Sequence, residues 1–352
     1  MKYQREILKD VEGYVPGEQP RVPGLIKLNT NENPYPPSPK TLDALHALTL
    51  EDLRKYPDPV SLRFREACAR HYGVPGPEWV IAGNGMDELL ALVLRTFVDP
   101  QDTVVATYPT YSLYEVLTRL HGCALEYIDL DGDFQLTDAH YGAGGRLFFL
   151  TRPNAPTGVA VPRADVERLC ASFPGIVVID EAYVDFADDH CLDFPERFEN
   201  AIVMRTFSKS YGLAGMRVGT AVARPELIAE FMKTKDSYNM NAVAQALGLA
   251  AIEDDEYVCR QVGRIRATRE RLRDALIALG FEVPRSETNF LLAYWNHKPG
   301  AETLFQDLRA RNIIVRHFKC RRIEDALRIT VGTDEECTAL VGALTEILSA
   351  RA

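Results

Sequence analysis

The stretch "GIVVIDEAY" (175–183) decides the fold. Four apolar residues, Ile176 to Ile179, run without alternation into Asp180. A continuous run rich in Val and Ile suits a strand buried on both faces. The same character recurs in "DTVVATYP" (102–109), "RLFFLTRP" (146–153), "AIVMRTFS" (201–208) and "RVGTAVA" (217–223). Apolar residues at helical spacing in "MDELLALVLRTF" (86–97) and "RADVERLCASF" (163–173) separate some of these runs. Strand and helix in alternation predict an α/β fold, with a mostly parallel central sheet flanked by helices.

The last third reads differently. "CRQVGRIRATRERLRDALIALG" (259–280) predicts a long amphipathic helix ending at Gly280. "FEVPRSETNFLLAYW", "NIIVRHF" and "ALRITVGT" then look like strands of a smaller α+β unit. The chain is therefore expected to divide into an arm (1–30), a large domain (31–255) and a small C-terminal domain (256–352). The arm is expected to pack on the small domain or on a partner chain. "NTNENPYPPSP" (29–39) is dense in Asn and Pro and predicts an irregular segment.

With 352 residues, 46% of them hydrophobic, the chain can bury a large core. A formal net charge of -10 disfavours binding to a nucleic-acid backbone. Seven cysteines without a CxxC pair argue against a zinc site or redox dithiol and suit a reducing compartment. There is no apolar signal block and no run of about 18 apolar residues. These features predict a cytoplasmic protein without a membrane partner.

Two successive runs carry chemistry to one sheet edge. The first delivers Asp180 and the second runs straight into Lys209, and open α/β sheets bind ligands at the strands' C-terminal edge. A buried carboxylate needs a cation facing it or serves as a structural salt bridge or cap. A lysine among small residues has its charged form disfavoured, which suits Schiff-base chemistry. An acid and an amine so placed fit pyridoxal 5'-phosphate (PLP), which needs an amine partner, an anion at its ring nitrogen and a phosphate cup. "AGNGMDELL" (82–90) offers the N–H groups of Gly85, Met86 and Asp87 at a helix start. Ser208 and Arg217 add a hydroxyl and a cation. Tyr111 in "ATYPTYSLY" (106–114) is placed to stack on an aromatic ring, although tyrosines in such loops are commonly packing residues.

Taken together, "LNTNENPYPPSP", "KYPDP", "GNGMDELL", "PTYSLY", "TRPNAPTG", "DEAYVDF", "SKSYGLAGMRVG", "SETNFLL" and "LRITVGT" resemble the motifs of fold-type I, class II PLP-dependent aminotransferases. Among these the chain is most similar to the histidinol-phosphate aminotransferases, in order from about residue 14 to residue 333. The resemblance implies that Lys209 is the Schiff-base lysine, Asp180 the partner of the pyridinium nitrogen and Tyr183 the donor to the ring's phenolate oxygen. It implies a stacking role for Tyr111 and phosphate contacts from Gly85, Met86, Asp87, Ser208 and Arg217. Tyr56 matches a tyrosine that reaches the phosphate from the other subunit, implying a homodimer with shared sites. Arg328 matches the residue gripping the α-carboxylate, and Arg316, helped by Tyr14, the one contacting substrate phosphate. The implied substrates are histidinol phosphate and glutamate or 2-oxoglutarate. An aromatic aminotransferase or a threonine-phosphate decarboxylase shares most of these motifs. A non-enzymatic sensor domain is disfavoured by the short stretch before the large domain. One position departs from the pattern: Ala155 stands where the family has Asn before Pro-Thr-Gly, leaving Asn154, one place earlier, or a water as substitute. Lys319, Arg321 and Arg322 read as a solvated loop.

Overall fold

A computed structural model describes residues 3–9, 11–20 and 22–350. Its central sheet has seven strands: β2 (Val80–Gly83), β3 (Thr103–Tyr108), β4 (Ala124–Asp129), β5 (Leu147–Thr151), β6 (Ile176–Asp180), β7 (Ala201–Thr206) and β8 (Gly219–Val222). The order is β2-β8-β7-β6-β5-β3-β4, and only β8 runs antiparallel to its neighbours. Every residue of β5 and β6 is buried. Alternate residues feed opposite faces: Val177 and Ile179 join one apolar cluster, Ile176 and Val178 the other. Two-sided burial explains why these strands read as continuous apolar runs.

A second sheet has the antiparallel order β11 (Arg316–His317), β12 (Ala326–Thr330) and β9 (Phe290–Tyr294). Its core is a separate cluster under the helices Ala301–Ala310 and Asp334–Ser349. The segment expected as one strand, "NIIVRHF", is split at Val315. Its first half, β10 (Ile313–Ile314), pairs in parallel with β1 (Ile26–Lys27) of the N-terminal arm, and its second half pairs with β12. The long helix spans Asp255–Ala278, four residues longer at its start than expected. Gly280, at φ 97°, takes the left-handed turn beyond its end, where a side chain would be strained.

The three basic residues expected in a solvated loop lie in one, Lys319 and Arg321 exposed and Arg322 half-buried, and each finds a partner there. Arg321 forms a two-pronged pair with Asp129, Arg322 donates to Leu130 O, and Lys319 pairs with Glu302. Asp129 ends β4, so this loop ties the second sheet's unit to the edge of the first. Among the described residues no helix is long and apolar enough to cross a membrane.

Candidate active site

Parallel strands place their C-terminal ends on one edge, and there β6, β7, β3 and β2 release Asp180, Lys209, Tyr111 and Met86. All four line one cavity of about 1400 Å³, together with Tyr183, Ser208, Arg217, Arg316 and Arg328. Ladder pairing sets Asp180 opposite Thr151 on one side and Met204 on the other. Asp180 is buried. Burial pushes its carboxyl up to about 6, against the hydrogen bonds from the Tyr114 hydroxyl and Ala182 N–H. Tyr114 donates to Oδ2 at 2.5 Å and Ala182 N–H to Oδ1 at 3.0 Å. Tyr114 is itself held by stacking on Phe149, centroids 4.4 Å apart, and by Thr151 Oγ1 at 2.7 Å. Among the described residues Asp180 has no cationic partner within ion-pair distance, so its aspect fits a ligand that brings a positive N–H.

Lys209 lies on the bend after β7. Its Nζ donates to Thr30 O at 3.3 Å and sits 5.6 Å from the centroid of the Tyr183 ring. Asn33 Nδ2 donates to the carbonyls of Lys209 and Ser210, at 3.0 and 2.9 Å, fixing the main chain that carries the lysine. The Tyr183 hydroxyl accepts from Asn31 Nδ2 at 2.9 Å, and its ring packs edge-on against Phe290 at 5.1 Å.

An anion cradle lies at the start of the helix Met86–Phe97. The helix leaves the N–H groups of Met86 and Asp87 without intrahelical acceptors. Gly85 differs from expectation: its N–H is taken by Gly83 O at 2.8 Å, closing the turn. Its use is spatial, because at φ 83° an added Cβ would meet Arg217 Nη2 at 2.7 Å. Arg217 reaches Asp87 Oδ2 at 3.0 Å and Ser208 Oγ at 3.4 Å. Tyr111 stands edge-on to both Tyr14 and Tyr114, each at 5.7 Å.

Arg328 is half-buried, its guanidinium 5.3 Å from the centroids of the Phe290 and Phe318 rings. Its Nη2 donates to Asn29 O at 2.9 Å, while its shielded Nε has no acceptor among the described residues. A guanidinium with such an orphaned N–H suits an incoming anion. Arg316 donates over longer distances, 3.5 and 3.3 Å, to Pro16 O and Val15 O of the arm.

Two expected residues stand apart. Asn154 does not face the cavity. Its Nδ2 donates to Pro109 O and its Oδ1 accepts from Thr157 Oγ1, so the loop consumes its polar atoms, and Ala155 lines the cavity instead. Tyr56 is 79% exposed and stacks on Tyr238 at 4.3 Å, outside the cavity. Sequence reasoning missed Tyr114, Thr151, Asn31 and Asn33. Tyr114 sits three residues after Tyr111, the spacing that sets two side chains near one helix face, and that was its only signal.

The model of the family "Aminotransferase class I and II" matches residues 23–344. The chain is 44% identical over 344 residues to a histidinol-phosphate aminotransferase of Geotalea daltonii, covering 97% of this chain and 99% of that one. It is 46% identical over 343 residues to the enzyme of that name from Synechocystis, covering 97% of each. The solved histidinol-phosphate aminotransferase of Sinorhizobium meliloti, in complex with pyridoxal-5'-phosphate, superposes with a TM-score of 0.85 at 27% identity, over 93% of this chain and 91% of that one. A fold of one dominant parallel sheet, an edge gathering acid, lysine and arginines, and this full-length likeness agree: the chain belongs to the class I and II aminotransferases and, within them, to the histidinol-phosphate aminotransferase family.

Proposed function

We propose that this protein is a PLP-dependent transaminase that moves the amino group of L-histidinol phosphate to 2-oxoglutarate, giving imidazole acetol phosphate and glutamate in histidine biosynthesis. The observation that carries the reading is the convergence of Asp180, Lys209, Tyr183 and Arg217 on one cavity, in a chain 43–46% identical to curated histidinol-phosphate aminotransferases. The cavity suits PLP on three counts: a buried carboxylate without a cation, a cradle that a Cβ at Gly85 would fill, and an arginine beside a helix start.

PLP supplies an aldehyde that bonds to amines and a ring that withdraws electrons from the substrate's α-carbon. Asp180 would hold the proton on the ring nitrogen, with Tyr114 and Ala182 N–H keeping its oxygens aimed. Tyr183 would donate to the ring oxygen and Tyr111 would cover one face. Ser208, Arg217 and the N–H groups of Met86 and Asp87 would hold the phosphate, beside the turn that Gly85 allows. Lys209 Nζ would bond the cofactor at rest. The same amine, when free, would move the proton at the substrate's α-carbon. Arg328 would bind the α-carboxylate of glutamate. Arg316, with Tyr14, would bind the phosphate of histidinol phosphate.

Tyr56 points away from its own cavity, which supports a role in the site of a second copy, and hence a homodimer with shared sites. We also propose the division expected above: an arm (1–30), a cofactor-holding unit (31–255) and a small unit (256–352). The cluster built from Leu272 to Ile347 supports the small unit, although Val258, Val262, Ile265, Phe290 and Val331 pack into the core of the larger one; Met1, Lys2, Asp10, Arg21, Arg351 and Ala352 lie outside the described residues.

The test is a visible spectrum of the PLP-loaded protein before and after histidinol phosphate, phenylalanine or threonine phosphate. Bleaching of the visible band by histidinol phosphate, with glutamate able to do the same, is the expected outcome. Response to phenylalanine alone would favour an aromatic aminotransferase, and carbon dioxide release from threonine phosphate a decarboxylase. No response to histidinol phosphate sinks the reading.

A further inference from the structure

The segment 29–33, which bends at Asn29 and Thr30, touches Arg328, Lys209 and Tyr183. Asn29 O accepts from Arg328, Thr30 O from Lys209 Nζ, and Asn33 Nδ2 holds the Lys209 carbonyl. Asn31 lies at its centre, 1% exposed, with φ 55°. That left-handed backbone is one Asn adopts more readily than most residues. Its carbonyl accepts from Asn289 Nδ2 at 3.0 Å.

The orientation of the Asn31 amide follows from a main-chain donor and from a buried hydroxyl that must place its proton. Asn31 N–H can only donate, and it donates to Thr330 Oγ1 at 3.0 Å. The buried Thr330 hydroxyl needs an acceptor for its own proton, and Asn31 Oδ1, 3.1 Å away, takes it. With Oδ1 so engaged, the NH₂ end of the amide faces Tyr183 and donates to its hydroxyl oxygen at 2.9 Å. A hydroxyl has one proton. Tyr183, already accepting from Asn31, must donate in another direction, and its ring lines the cavity. Thr330 is two residues from Arg328 on β12, so the chain of bonds starts on the strand that carries that arginine.

We infer that Asn31 is a positioning residue: it orients the Tyr183 hydroxyl as a donor towards the cofactor's ring oxygen and ties that orientation to strand β12. The inference rests on the PLP reading above. Ala155 sharpens the need for it, because the family pattern places an Asn donor there and this chain has only a methyl group. Tyr183 is left to serve the ring oxygen with Asn31 behind it.

A donor at the ring oxygen disperses its negative charge, so the proton held near the Lys209 nitrogen leaves at lower pH. The test is a pH titration of the visible band in the PLP-loaded protein. Asn31→Ala should raise the midpoint by about one pH unit, the size of one net hydrogen bond. Asn31→Asp keeps the side-chain volume but turns a donor into an acceptor, which draws the Tyr183 proton back. It should raise the midpoint as well, which a packing role alone would not do. Tyr183→Phe should shift it at least as far, and the double variant Asn31→Ala with Tyr183→Phe no further than Tyr183→Phe alone. Thr330→Val, which leaves Asn31 in place, should shift the midpoint with the same sign and serves if the Asn31 variants do not fold. Unmoved midpoints in the Asn31 or Thr330 variants, or additive shifts in the double variant, overturn the inference. A wild-type protein with no titrating visible band would overturn the cofactor reading itself.

Discussion

The proposed chemistry depends most on Lys209 and Asp180, and their surroundings differ. Lys209→Ala should abolish the visible band of the loaded protein and lower turnover by at least about 10³-fold, since it removes both the covalent anchor and the proton carrier. Wild-type turnover in that variant would refute the mechanism. Asp180 is a strained carboxylate: burial raises its carboxyl from 3.8 to about 6. The cofactor-free native state then binds this proton more tightly than the unfolded chain. Stability from this group is fully present below about pH 4 and is lost as pH rises through about 6, to the extent of about 3 kcal/mol. Denaturant unfolding of cofactor-free protein at pH 4 and pH 7 should show that loss in wild type and not in Asp180→Asn. Equal pH slopes would show that the carboxylate is not strained by burial. Both residues were legible in the sequence because each ends an apolar run, so position and chemistry were readable together. Asn31 was not. Its partners Tyr183 and Thr330 lie 152 and 299 residues away, and no local pattern encodes a contact of that range.

Among the elements, those buried on both faces announced themselves and those at the rim did not. β5, β6 and β7 are apolar up to their last one or two residues because helices cover both sides, whereas β4 is an edge strand whose residues are all partly or fully exposed. β2 is only four residues long. The division of 313–317 between two sheets was hidden for another reason: both halves are apolar or basic, and only their different partners separate them. The turn from β2 into the helix Met86–Phe97 gives a prediction of its own. Gly85→Ala would strain a positive φ and push Arg217 out of the cradle. It should weaken PLP binding about tenfold or more, read by titration of the cofactor-free protein, with little change in helix content. On β11, Arg316→Ala should reduce kcat/KM for histidinol phosphate far more than for glutamate. Equal losses would remove its assignment to the phosphate.

At the scale of the whole molecule, Tyr56 makes the oligomer a chemical matter. If each site takes Lys209 from one chain and Tyr56 from another, mixing Lys209→Ala with Tyr56→Ala chains under exchange should create one intact site per mixed dimer. Activity above the sum of the separate variants is the expected result, and a simple sum would place Tyr56 outside the site. The N-terminal arm bears on the same cavity. Its carbonyls at Val15 and Pro16 rest on Arg316 at 3.3 and 3.5 Å, distances of weak hydrogen bonds. Were Arg316 to bind the substrate's phosphate, the arm would act kinetically as a tethered competitor, present at an effective concentration of about millimolar whatever the protein's own dilution. A phosphate arriving there would displace peptide rather than water alone, so part of its binding free energy would go into that exchange. The same exchange run backwards would help the product leave.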